Sequence, residues 1–121
     1  MKSMALALPV KNKEAGLRAL EDIVSNKSDT VHNQRRAHGF ERTKIFYQKK
    51  PQEMLIFYIE GDNVLTSIDK RHADDHEFEK EVDQIVEAVT GHSLRDLHAD
   101  GHPVELLMDW HPEKGVSKSH H

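Results

Sequence analysis

The side chains able to do chemistry in this 121-residue chain are its ten histidines, its few aromatic residues with polar tips and its carboxylates. His72 and His76 bracket Ala73, Asp74 and Asp75 in the stretch HADDH. On an unbroken helix both imidazoles would share one face, as a divalent metal requires. Asp74 and Glu77, however, have the spacing of a capping box, with Asp74 as N-cap, which would break the helix between the two histidines. The stretch therefore reads first as a solvated helix start whose acids offset the dipole, and second as a metal site. His92, His98, His102 and His111 flank the last apolar run. Their spacing matches no ligand pattern, and they read as surface residues. A haem-binding reading would need one axial histidine, and none is singled out. His120 and His121 end the chain and are left out of site reasoning.

Tyr47, Tyr58, Asp109 and Trp110 form a second set. Aromatic rings with polar handles near strand ends suit a pocket that orients an organic ligand, and equally suit a core or an interface between copies. Asp109, apolar-flanked, would serve as a general base if buried. Tyr58 and His38 are the other catalytic candidates. Arg35, Arg36 and His38 end a helical pattern, where cations offset the negative end of the dipole. Arg35 could instead hold a ligand carboxylate in a two-pronged grip. The ligand-binding set is thus Tyr47, Tyr58, Trp110 and Arg35. There is no glycine-rich phosphate loop, no GxSxG and no nucleophile with an evident base. No cofactor is expected.

Composition narrows the classes further. The chain has no cysteine, which excludes disulfides, thiolate metal sites and cysteine nucleophiles and suits a reducing cytoplasm. A net charge of −4, with the basic residues spread along the chain, argues against a nucleic-acid partner. Met4–Val10 is too short for a signal core or a membrane span. The hydrophobic share, 36% against 31% charged, is low, but the apolar residues fall in blocks, so disorder is expected only at the ends.

The elements that would position these residues follow from those blocks. Met54–Ile59 is an uninterrupted apolar run, too short for a buried helix, and reads as a strand covered on both faces. Met4–Val10 reads the same way. Asn12 is a plausible N-cap for a helix carrying Leu17, Leu20, Ile23 and Val24, and the seven-residue spacing through Val31 and His38 favours one long, bent helix to about Ala37, closed by Gly39. Glu41–Lys50 has strand composition and leads through Pro51-Gln52 into Met54–Ile59, an antiparallel hairpin. Asp62 would cap a short helix with Val64, Leu65 and Ile68. Phe78, Val82, Ile85, Val86 and Val89 make the best amphipathic helix, ended by Gly91. His92–Gly101 reads as a loop with Leu94 and Leu97 packing back, and Val104–Trp110 as the last strand. From His111 on, a polar tail is expected.

The order strand-helix-strand, strand-helix-strand predicts a single α+β domain over residues 1–121, with an ordered core of about 4–111 and a tail at 112–121. It is the ferredoxin-like β-α-β-β-α-β arrangement, one four-stranded antiparallel sheet with both helices on one face. Two helices cover only one side. In one of two phases the other side would carry Met54, Ile56 and Tyr58 with Leu6, Leu8, Met108 and Trp110, more apolar surface than a soluble monomer usually shows. A second copy pressed sheet to sheet is the economical cover, so a homodimer is expected.

The order of elements, together with QKKPQEMLIFYIEGD and PVELLMDWHPE, resembles small bacterial proteins of the dimeric α+β barrel superfamily. An uncharacterised group there has Tyr-x-Glu ending the third strand and Asp-Trp ending the last, and Tyr58, Glu60, Asp109 and Trp110 occupy those places. The resemblance covers about residues 4–111. It implies a cytoplasmic homodimer that binds a small organic molecule between sheet and helices, with monooxygenase-like or isomerase-like activity. Haem-degrading enzymes and members without known activity share the superfamily, so fold alone does not choose a function. The alternatives are a non-catalytic self-associating module and a histidine metal site at His72 and His76.

Overall fold

Three strands meet in an antiparallel sheet: β1 (Ser3–Pro9), β2 (Phe40–Gln48) and β3 (Met54–Gly61). The structure is a computed structural model and describes residues 1–99 and 101–117. His120 and His121 lie outside the described residues. The strand order is β1-β3-β2, so the apolar run at Met54–Ile59 is the central strand.

The register decides which residues the helices cover. Leu6 stands opposite Phe57, and Phe57 opposite Ile45. One face therefore carries Met4, Leu6 and Leu8 of β1, and Met4 and Leu8 are buried there. The other face carries Ala5 and Ala7 beside Tyr58 and Ile56, with Lys44 and Phe46 on the far strand. The expectation that Leu6 and Leu8 share a face with Met54, Ile56 and Tyr58 is corrected by this register. Both sets of β1 residues are apolar, so alternation alone cannot choose between them. Turning the larger side chains inward removes more apolar area from water, about 25 cal/mol for each Å².

A 3₁₀ turn (Lys13–Ala15) leads into α1 (Leu17–Asn26) and α2 (Ser28–Ala37). Asn12 makes no side-chain cap there. The single long helix is replaced by these two, which meet at Lys27, where φ is −127°. Backbone bonds from Lys27 to Ile23 and from Val31 to Lys27 carry the path across the joint. α1 buries Leu20 and Ile23.

α3 (Val64–Ala73) is capped by Asn63, whose side chain accepts from the Thr66 amide, not by Asp62. α4 (Glu77–Thr90) is capped by His76, whose Nδ1 accepts from the Phe78 amide at 3.0 Å. Asp74 instead accepts from the His76 amide at 2.9 Å, so the expected capping box does not form. Gly91 ends α4 at φ 78°, a left-handed conformation that disfavours any side chain. The stretch read as a loop contains α5 (Leu94–Ala99), and Leu94 and Leu97 do pack onto the core of Leu8, Ile23, Phe78, Val82 and Val86.

The α+β class and the antiparallel sheet stand, but the sheet has three strands rather than four. Residues 104–108 are not in a strand. Val104 packs on the cluster of Met4, Val64 and Ile68, while Leu107 and Met108 point into solvent. The chain then folds back on itself as β4 (Asp109–His111) and β5 (Gly115–Ser117), which pair with each other. Gly115, at φ 70°, permits that reversal. The hairpin takes up Asp109 and Trp110 from the end of the expected strand, and it occupies part of the stretch expected as a tail. No helix among the described residues is long and apolar enough to cross a membrane.

Candidate functional site

A pocket of about 120 Å³ lies between the covered face of the sheet and the helices. Met4, Leu6, Phe57 and Ile59 form its sheet wall, and Ile68 and Val82 face them from α3 and α4. Arg35, Arg71, His72 and His98 supply its polar lining.

Arg35, Arg71 and, through Arg71, His72 belong to one buried network centred on Glu79, a carboxylate with no solvent exposure. Glu79 Oε1 accepts from Arg71 Nε at 3.1 Å and stands 3.5 Å from Arg35 Nη1. Its Oε2 accepts from Gln34 at 3.3 Å. Arg71 Nη2 donates to the Glu79 carbonyl, and Nη1 donates to Asp83. Asp83 also accepts from Arg95 Nε at 2.7 Å, and Arg95 donates on to the carbonyls of His72 and Asp74. A buried charge is tolerated only when paired and hydrogen-bonded, and here Arg35, Arg71 and Arg95 balance Glu79, Asp83 and Asp74. Burial lowers the Arg35 pKa, with Glu79 opposing the shift.

His38 is buried and donates from Nε2 to Asp74 at 2.7 Å, which is the main reason the Asp74 carboxyl is held down at about 2. His38 Nδ1 has no hydrogen-bond partner and stands 3.8 Å from Glu79 Oε2. The His72 imidazole is lowered to about 4, first by burial and then by the charge of Arg71. The rings of His72 and His98 lie 5.2 Å apart, and those of His98 and His102 5.9 Å.

The structure divides the expected site residues. Arg35 lines the pocket, and His38 joins its supporting network one step away. Tyr58 borders the pocket from a strand position whose side chain alternates to the open face. Its hydroxyl donates to Glu60 at 2.8 Å, and that bond raises its pKa. Tyr47 donates to Glu53 at 2.8 Å and lies outside the pocket. Asp109 and Trp110 sit exposed on the C-terminal hairpin and do not line the pocket, so neither the expected buried base nor the expected aromatic wall forms there. His72 and His76 are separated by the end of α3, and His76 is used as a cap. Among the described residues no group of three or more histidines or carboxylates is placed to hold a metal.

Sequence reasoning passed over Arg71, Glu79, Asp83 and Arg95. A signal was present at Glu79, which falls on the apolar stripe of α4 with Val82, Val86 and Val89, at helical spacing. A carboxylate in such a stripe needs a buried cation.

Comparison of the chain with family models, curated proteins and solved structures finds no match in any of the three.

Proposed function

We propose that the chain binds a compact organic molecule in the pocket between sheet and helices, and that it does so as a homodimer joined through the open sheet face. One observation carries the binding reading: an apolar pocket of about 120 Å³ with polar groups gathered along part of its lining. A dry apolar cavity of about 150 Å³ takes up benzene, which sets the size class at roughly one six-membered ring with a substituent. The surrounding ion network is rigid and internally neutralised, so it shapes the pocket without filling it.

The open face supports the dimer. Ala5, Ala7, Ile56 and Phe46 make it apolar, and Phe46 is 50% exposed. Arg42 and Lys44 lie at one end and side of this face, with Glu60 beside Arg42. An isologous pairing can set the cations of one copy against Glu60 of the other, a self-complementary pattern.

The binding reading is tested by amide NMR titration with toluene. Shifts concentrated at Leu6, Phe57, Ile68 and Val82, and absent in Val82→Phe, support it. No shift at millimolar toluene overturns it. Light scattering at micromolar concentration tests the dimer, and a monomer there overturns that part.

A further inference from the structure

The C-terminal hairpin has two unlike sides. Trp110 stands directly opposite Val116, so both side chains point to one side of the ribbon of β4 and β5. Asp109, His111 and Ser117 belong to the other side. The apolar side is open: Trp110 is 60% and Val116 66% exposed, and neither joins the two core clusters. Leu107 and Met108, which lead into the hairpin, are exposed as well. A lone two-stranded hairpin is marginal in water, and this one has only three residues in each strand. An apolar cover would stabilise it by roughly 25 cal/mol for each Å² of apolar surface removed from water.

Resting on the dimer reading above, we propose that the hairpin of each copy clasps the other copy, laying Trp110 and Val116 on Phe46 at the β2 flank of the open face. β2 is an edge strand, and Phe46 is exposed on it. In the same row Ala7 lies on β1, the opposite edge, beyond Ile56. Two sheets can approach closely over the alanines, which leaves the Phe46 rings at the flanks for the hairpins to cover. Charge favours the same placement. Residues 104–113 carry Glu105, Asp109 and Glu113 and no Lys or Arg, whereas residues 40–50 carry Arg42, Lys44, Lys49 and Lys50 against Glu41. With its side chains a strand ribbon is about 10 Å thick, well inside the Debye length of about 30 Å at 0.01 M salt, so acids on either side of it are felt at β2. Area points the same way. A specific interface needs at least about 1,000 Å² in all. Ala5 and Ala7 bring little area to a seam, and Ile56 and Tyr58 are already half-buried, so the hairpins supply the larger share of the apolar surface still in water. By two-fold symmetry the contact is made twice.

Trp110 is the single tryptophan, so its fluorescence reads the proposal directly. In the dimer its emission should lie to the blue of N-acetyltryptophanamide and resist iodide. In the monomer, reached by dilution or by the charge variants below and followed by light scattering, it should move to the red and open to iodide. A dimer whose Trp110 is as open as N-acetyltryptophanamide overturns the clasp and leaves the sheet-face dimer standing. A Trp110 equally shielded in monomer and dimer is covered by its own chain, which overturns the clasp too. A chain that is monomeric throughout overturns both the clasp and the dimer reading. A charge exchange then identifies the surface. Asp109→Lys with Glu113→Lys in one chain, and Arg42→Glu with Lys44→Glu in another, should each weaken their own homodimer about tenfold or more at low salt. Mixed, the two chains should form a heterodimer as tight as the wild-type dimer, because each hairpin then meets a face of opposite charge. Weakening by the sheet pair alone overturns the clasp and keeps the contact of the β2 cations with Glu60. Weakening by both pairs with no gain on mixing overturns it as well, since a hairpin lying on its own chain cannot be rescued by a second one.

Discussion

Glu79 Oε1 accepts from Arg71 Nε at 3.1 Å across the break between α3 and α4, and the carboxylate has no contact with solvent. This bond ties the two helices that form one wall of the pocket, and its partners Arg35, Gln34 and His38 bring in the end of α2. The network is therefore a support for the pocket rather than a decoration of the surface.

Glu79→Ala should destabilise the chain by about 3–5 kcal/mol, because it leaves Arg71 buried with one partner fewer. Urea denaturation checks it. The double change Arg71→Met with Glu79→Leu should recover part of the loss, since Arg71 no longer lacks its partner, while Arg35 still loses Glu79. Recovery no better than the single variant would mean that the pair contributes more than its removal penalty.

The His72 imidazole, at about 4 in the folded chain against an ordinary 6.5, gives a second expectation. Between those values the unfolded chain takes up a proton that the folded chain refuses. Stability from this source is complete above about pH 6.5 and falls as the pH drops to about 4. His72→Phe should flatten that part of the stability profile, measured as the thermal midpoint at several pH values.

Asp74 acts in a lower window. Its carboxyl is held at about 2, chiefly by the hydrogen bond from His38 and then by the His76 amide. The folded state prefers the ionised form, so the contribution is complete above about pH 4 and is lost as the pH falls toward 2. Asp74→Asn should remove this acid-sensitive step while leaving the profile above pH 6.5 with its shape unchanged.

Gly16, the residue before α1, lies close against α4. A Cβ there would stand 2.9 Å from Ile85 Cγ2 and 3.4 Å from Val89 Cγ2. Gly16→Ala should cost about 1–3 kcal/mol through overpacking. Ile85→Ala in the same chain should make the added methyl cheaper, so that the two changes cost less together than their sum.

On the open face, where the dimer is proposed to join, Phe46→Glu should convert a wild-type dimer to a monomer by light scattering, with little change in the denaturation midpoint at low protein concentration. A variant that stays dimeric would place the interface elsewhere.

Parts of this arrangement were legible from the residues alone. Met54–Ile59 could only be a strand, and the hairpin with Glu41–Lys50 and the amphipathic α4 followed from spacing. The face of β1 was not legible, because Ala5 and Ala7 are as compatible with burial as Leu6 and Leu8. The fourth strand failed for a related reason. Val104–Trp110 has strand alternation, but backbone pairing is chosen by what lies alongside, and Gly115 offers a nearer partner. Of the site, Arg35 was anticipated from its place at a helix end. His72 and His98 were seen as metal ligand or surface group, since their local partners, Arg71 and the Leu94 carbonyl, become apparent only once α3 and α5 exist.

The central position of β3 has a kinetic consequence. β2 reaches it across residues 49–53, whereas β1 must return across residues 10–53, with α1, α2 and β2 in between. Loop closure favours the near pairing, so the β2–β3 hairpin should zip first and β1 should dock late. Met4 and Leu6, which finish the pocket wall, ride on that late strand. A ligand in the pocket would then act as a latch on the final step, slowing the departure of β1 and so the rate of unfolding, while leaving the rate of hairpin formation untouched.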